Sequence, residues 1–392
     1  MNKNSAAFCD ESGSGVWLAN PYRRLDFVPP APLADARTLH RSLPGYAPTP
    51  LRPLPAAARR LGLGAVWLKD ESNRMGLPAY KVLGAVWATW RVLERRFGLG
   101  AWQSVEALRH RLAGEQRLTL VTATDGNHGR GVARTARWFG CDAEVYLPRG
   151  TVPARIEGIR SEGARVIEVD GTYDDAVAAA DAVRGENVLA IQDHGFPGYE
   201  EIPQWVGEGY ETIFAEADEQ WAAAEREPPD VVVVQIGVGT LASAVLRHFR
   251  HAGVRHRPVI VGVEVLGIPC VLRSIEAGAP VMLEATAHSS IMAGLNCGTP
   301  SSAAWPMLRE GIDAFVAVSD DRARAAMREL AAAGIVSGES GAAGFAGLCE
   351  MLECHRPAAE RLGVTAGSRV LVISTEGATD PVAYSSIVGS RG

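Results

Sequence analysis

The chain has 392 residues, 47% of them hydrophobic, and a formal net charge of -6 at pH 7. That composition supports a folded protein with a buried core in about two or three domains, or two interleaved ones; with no basic stripe, it excludes nucleic acid and anionic membrane as partners and leaves a small molecule. No apolar run approaches the ~18 residues that span a bilayer, residues 1 to 15 hold no apolar stretch of signal-peptide length, and a cytoplasmic location is expected.

The proline-rich opening, residues 20 to 55, shows no regular pattern. AVWLKDES, from residue 65, reads as the first strand. LPAYKVLGA follows at residues 77 to 85. Pro78 suits the first turn of a helix, and Val82, Leu83, Val86 and Trp87 recur at helical spacing, which puts Lys81 near a helix start beside an apolar face. Desolvation there pushes an amine toward its neutral, nucleophilic form. A plain surface lysine is the alternative.

TLVTATDG, AEVYLPRG, RVIEVDG, NVLAIQDHG, DVVVVQIGVG, VIVGVEVLG and RVLVISTEGATD then read as strands that end in polar or glycine-bearing loops. Helical patterns separate most of them, including GNHGRGVARTARWFG, PARIEGIRSEG and TYDDAVAAADAVRG. EADEQWAAAEREPPD reads as a solvated helix and loop. The alternation predicts an α/β protein with parallel sheets, whose ligands bind beyond the carboxyl ends of the strands. Six cysteines without a CxxC pair fit a reducing compartment and give no metal site. Cys270 and Cys297 flank one segment and could meet in space.

QIGVGTLASA, residues 235 to 244, joins the most apolar strand to a helical pattern, so its glycines expose amides at a helix start. Gly237, Val238, Gly239, Thr240 and Leu241 form a candidate phosphate cradle, with the Thr240 hydroxyl as a further donor. The loop lacks the Gly-Lys-Ser/Thr of a Walker sequence and the third glycine of the dinucleotide fingerprint, so a mononucleotide-sized phosphate fits better. TATDGNHGRG offers amides from Gly126 onward for a carboxylate, the Asn127 side chain for a phenolic oxygen, and the acid Asp125; an ordinary capped helix is the alternative. Asp193 stands at a third strand end, and Ser374, Thr375 and Thr379 at a fourth.

The order AYKVLGA, TDGNHG, GVGTLASA, STEGATD resembles the tryptophan-synthase-type, fold type II family of pyridoxal phosphate enzymes over most of the chain. KDESNRMGLPAYKVLGA, QDHGFPGYEEIPQWVGEGY, SIMAGLNCGTPS and GESGAAG are most similar to diaminopropionate ammonia-lyases within it. Serine and threonine dehydratases of this fold usually carry a serine where Asp125 stands. The resemblance implies two open, twisted parallel-sheet domains flanked by helices: a large cofactor-binding domain from residues 1 to 85 and 205 to 392, and a small one from 86 to 204. It implies a homodimer and pyridoxal 5'-phosphate bonded covalently by Lys81. Asn127 would face the cofactor's 3-hydroxyl, residues 237 to 241 its phosphate, and Ser374 or Thr375 its pyridine nitrogen, with Thr379 nearby. Thr124, Asp125, Gly126 and His128 would hold the substrate. Asp125 and Asp193, each with a raised pKa, would act as acids and bases on opposite sides of it.

The implied reaction is α,β-elimination of ammonia from D- or L-2,3-diaminopropionate, giving aminoacrylate and then pyruvate and a second ammonia. A serine/threonine-type dehydratase, a β-replacement synthase and a non-catalytic cofactor-binding protein remain as alternatives. The chain departs from the family pattern at Ala378, where an acid is expected, and Glu339 is expected near the cofactor ring without an assigned role.

Overall fold

Eleven strands organise the described residues: β1 (Val16–Ala19), β2 (Leu51–Pro53), β3 (Ala65–Asp70), β4 (Thr119–Ala123), β5 (Asp142–Pro148), β6 (Arg165–Val169), β7 (Val188–Ala190), β8 (Val231–Gln235), β9 (Val259–Val265), β10 (Ala314–Val318) and β11 (Arg369–Ser374). The computed structural model describes residues 15–30, 35–124, 126–171, 173–284 and 290–389, without the side chains of Tyr173 and Asp174. Seven strands form one sheet in the order β1-β10-β9-β8-β11-β3-β2, and four form a second in the order β6-β5-β4-β7. All of the second sheet and the centre of the first are parallel. Helices cover both faces of such sheets, which is why β8 reads VVVVQ with every residue buried.

The expected α/β architecture is present, with three strands that the sequence pattern did not signal. β1 and β2 pair antiparallel at the two edges of the large sheet, inside or just before the proline-rich opening. Such short edge strands leave little alternation to detect, and Pro53 is tolerated at an edge. β10, AFVAV, is fully buried, but it has no glycine-bearing loop behind it. Ser319 ends it and caps the next helix by accepting the Arg322 N–H.

Four helices position the site: α1 (Val82–Phe97), α2 (Asn127–Phe139), α3 (Glu201–Ala223) and α4 (Thr240–Arg250). α1 is held closely against α3 through glycines. A Cβ on Gly209 would lie 2.6 Å from the Leu83 carbonyl oxygen, and one on Gly84 would lie 2.7 Å from that of Val206. Val82, Leu83 and Val86 are fully buried in that packing, each worth roughly 1.5–3 kcal/mol. The start of α1 is therefore fixed, and Lys81 is its N-cap residue. Pro78 lies outside the helix, and its carbonyl accepts the Gly377 N–H at 2.9 Å.

The segment read as solvated, residues 216 to 230, departs from that reading. It continues α3, and Glu216, Ala217 and Trp221 are buried. Glu216 accepts from Lys69 Nζ at 2.8 Å and from Arg74 Nη1 at 2.6 Å, and Arg74 Nη2 donates to Glu71 at 2.6 Å. Burial pushes the Glu216 carboxyl up, but Arg74 and Lys69 outweigh it and hold it down to about 2. Its charge is buried because its counter-ions are buried with it.

Candidate active site

The carboxyl ends of β4, β7, β8 and β11 and the start of α1 face one cleft of about 500 Å³, within the range of small-molecule sites. Lys81, Thr124, Asn127, Asp193, Gly237, Val238, Gly239, Thr240, Leu241 and Thr375 all line it. Residues expected to act together from five distant stretches of sequence thus share one cavity.

Lys81 Nζ donates to Asp193 Oδ2 at 2.5 Å. This overturns the expectation that apolar surroundings keep the lysine neutral. Burial does pull the amine down, but Asp193, with Tyr210 and Tyr80 behind it, outweighs that and holds the ammonium well above its ordinary value of 10.5. Asp193 departs from expectation in the matching sense. Burial pushes its carboxyl up, yet His128 and Lys81 outweigh burial and hold it well below the usual carboxylate range. His128 is buried, with Nδ1 3.8 Å from Asp193 Oδ2 and Nε2 2.8 Å from the Ile191 carbonyl oxygen.

The chain around Asp193 is fixed on several sides. Ile191 N–H donates to the Val121 carbonyl at 2.8 Å, Gln192 Oε1 accepts the Ala123 N–H at 3.0 Å, and Gly195 N–H donates to Ser301 Oγ at 2.8 Å. The Thr240 hydroxyl donates to the Asp193 carbonyl at 2.8 Å. Its proton therefore serves this link instead of the phosphate expected from sequence.

The amides of residues 237 to 241 stand at the N-terminus of α4, where the first N–H groups of a helix lack intrahelical partners. Gly239, its N-cap, has φ 103°. A Cβ there would lie 2.4 Å from Leu308 Cδ1, and one on Gly237 would lie 2.9 Å from the Gly294 carbonyl oxygen. Both space and dihedral reserve the turn for glycine.

A family profile described as "Pyridoxal-phosphate dependent enzyme" matches residues 42–376. The chain belongs to the pyridoxal-phosphate dependent enzyme family. It is 38% identical over 368 residues to a diaminopropionate ammonia-lyase of Salmonella typhimurium, covering 90% of this chain and 91% of that protein. Among solved structures it is similar to the Escherichia coli diaminopropionate ammonia lyase in complex with D-serine, with a TM-score of 0.87 and 34% identity, covering 95% of this chain and 96% of that one. The same enzyme in complex with an aminoacrylate-PLP azomethine reaction intermediate gives a TM-score of 0.85 at 33% identity, covering 96% and 97%.

The donor set fits the family's cofactor. Pyridoxal phosphate needs an anion cradle, an amine and polar partners for its ring, and this cleft holds the α4 amides, Lys81 and the side chains of Asn127 and Thr375. Of the two strand-end hydroxyls, Thr375 lines the cleft. Its Oγ1 accepts from Gln235 Nε2 at 2.9 Å. Ser374 is buried away from it and donates to Ser337 Oγ at 2.7 Å, because successive strand residues point to opposite faces. Thr379, Gly126 and His128 also lie outside the lining. The Gly126 N–H, expected to serve a carboxylate, donates instead to Thr124 Oγ1 at 3.0 Å. Asp125 lies outside the described residues.

The cleft also holds residues that the sequence patterns did not single out. Tyr80, Arg149, Gln235, Ser340 and Glu376 line the cleft. Arg149 follows β5, and Glu376 follows Thr375. The strand-end rule that found Asp193 was sufficient to find both. Cys297 lines the cleft near buried Cys270, and neither is in a disulfide.

Proposed function

We propose that this chain is a pyridoxal phosphate-dependent ammonia-lyase that eliminates ammonia from 2,3-diaminopropionate and releases pyruvate and a second ammonia. The carrying observation is the Lys81–Asp193 pair in the same cleft as the α4 amide cradle. Relatives that cover nine-tenths of the chain bear that activity in their names.

Bound pyridoxal phosphate supplies an electron sink for the bond-breaking steps at the substrate's α-carbon. The chain's own residues do the rest. The amides of residues 237 to 241 and the positive end of α4 take the phosphate. Lys81 is the amine that would hold the cofactor covalently and that a substrate amine would replace. Asp193 Oδ2, at hydrogen-bond distance from Lys81 Nζ, accepts from that amine and orients it. Asp125 and Asp193 share the transfer of the α-proton and the protonation of the departing β-amine. Asn127 would bond the cofactor's 3-hydroxyl, Thr375 would face its pyridine nitrogen, and Thr124, which lines the cleft, would contact the substrate. A hydroxyl at that nitrogen would leave it largely unprotonated, which would favour elimination.

The cleft opens between a small domain, residues 86 to 204, and a large one made of the remaining chain. The protein works as a homodimer in the cytoplasm. No helix among the described residues is long and apolar enough to cross a membrane.

The test is pyruvate release from D- and L-2,3-diaminopropionate by the cofactor-loaded protein, with serine and threonine as competitors. Fast release from diaminopropionate alone is expected. Equal turnover of serine or threonine would transfer the function to a dehydratase, with Ala378 as the first position to restore to an acid. A bound chromophore without any keto acid would leave only a binding protein.

A further inference from the structure

Glu376 is 2% exposed and lines the cleft. Its Oε2 accepts from Nδ2 of Asn127, and its Oε1 accepts the Ser340 N–H at 3.1 Å. The backbone around it has little freedom. The Gly338 N–H donates to its carbonyl at 2.9 Å, residues Ala79 and Glu376 form an antiparallel bridge, and the Gly377 N–H donates to Pro78. A Cβ on Gly341 would lie 2.4 Å from the Glu376 carbonyl oxygen. One residue thus joins the lysine-bearing segment, the loop from 338 to 341 and the first residue of α2.

We infer that Glu376 is a positioning residue for the cofactor: from across the cleft it fixes the Asn127 amide, and so decides which of its atoms faces the ring. The inference rests on the reading that Asn127 bonds the cofactor's 3-hydroxyl. A side-chain amide presents donors on nitrogen and an acceptor on oxygen, whereas a carboxylate accepts only. Pinning Nδ2 to Glu376 excludes the flipped amide, which would set Oδ1 against a carboxylate oxygen. The bond is charge-assisted, so it resists exchange with water better than a neutral one.

The neighbouring acids do not serve the Asn127 amide. Asp380 caps the last helix by accepting the Val382 and Ala383 N–H groups, each at 3.0 Å. Ala378 has no carboxyl to offer. Glu339 Oε2 is buried without a hydrogen-bond partner, and burial, with Glu376 adding to it, pushes that carboxyl up. In this turn Glu376 is the acid that takes the N–H donors of the cleft.

The test is a double-mutant cycle on the cofactor-free and cofactor-loaded protein with Glu376→Gln, Asn127→Ala and the double variant. Glutamine has one acceptor oxygen and cannot serve Asn127 and Ser340 in the same way. Glu376→Gln should weaken pyridoxal phosphate binding about tenfold, the loss of one charge-assisted bond. It should also shift the pH midpoint of the bound cofactor's absorbance in the same direction as Asn127→Ala. The double variant should be no worse than Asn127→Ala, because the two residues act as one unit. Additive losses, or a midpoint moved by Asn127→Ala and unmoved by Glu376→Gln, overturn the inference and leave the Asn127 reading intact. A midpoint unmoved by Asn127→Ala removes that reading and the inference with it. Should Glu376→Gln fail to fold, Glu376→Asp, which retains both acceptors on a shorter stem, enters the same cycle and should couple to Asn127→Ala in the same sense.

Discussion

Lys81 and Asp193 are 112 residues apart in sequence and 2.5 Å apart in the cleft. A local reading of Lys81 sees apolar neighbours and expects a neutral amine; the distant carboxylate reverses the sign. The pair is charged at neutral pH. Lys81, with its pKa raised, contributes stability below 10.5 that is lost as pH rises through the higher folded value. Asp193, with its pKa lowered, contributes stability above 3.8 that is lost as pH falls through the lower one. Asp193→Asn removes the charge that raises Lys81 and leaves the burial that lowers it. Cofactor capture by the neutral amine should then reach its maximal rate at lower pH than in the parent, as stopped-flow absorbance of pyridoxal phosphate binding would record. Steady-state turnover should fall in the same variant by about 100-fold or more, the usual loss when a general acid or base is removed. An unchanged loading profile would mean that Asp193 does not govern the lysine. At this scale the sequence made the identities of Lys81, Asn127 and Asp193 legible and left their protonation hidden, because no sequence window contains both partners. Ser374 and Thr375 show the same limit: adjacent hydroxyls were equivalent until the strand's alternation placed one at the cleft and one in the core.

The element that carries most of the site is the β8–α4 turn. It was the most legible part of the chain, because a four-valine strand followed by closely spaced glycines has few other readings. Gly239→Ala adds a methyl group into Leu308 and forces a φ of 103° on a residue with a side chain. It should destabilise the protein by about 1–3 kcal/mol and weaken pyridoxal phosphate binding at least tenfold, measured as the unfolding midpoint and by absorbance titration. Full affinity in a destabilised protein would mean that the turn holds its own shape and not the phosphate. β1, β2 and β10 were hidden for a different reason. Strand signals rest on length, alternation and the loop that follows, and these three segments lack one or more of them.

Across the whole molecule, Lys69 at the end of β3, Glu71, Arg74 and Glu216 of α3 form a buried network between the large sheet and the helix that braces α1. Glu216→Gln would leave two buried cations short of a counter-ion. A loss of about 3–5 kcal/mol is expected in denaturant unfolding, with the fold of the remaining native fraction unchanged by circular dichroism. A loss below 1 kcal/mol would show that water reaches these charges. Sequence hid the network because Glu216 sits among alanines and acids that resemble a solvated surface, and its partners lie 147 and 142 residues away. The bridge between Ala79 and Glu376 joins residues about twice as far apart in sequence and bears on how the protein is made. A ribosome delivers Lys81 first, then Asn127, Asp193 and the glycine turn, and only much later the strand end that carries Thr375 and Glu376. For most of synthesis the nascent chain has its reactive lysine and lacks the wall that closes over it. A chain interrupted before residue 375 carries the amine of Lys81 and lacks the Thr375 and Glu376 side chains that line the same cleft.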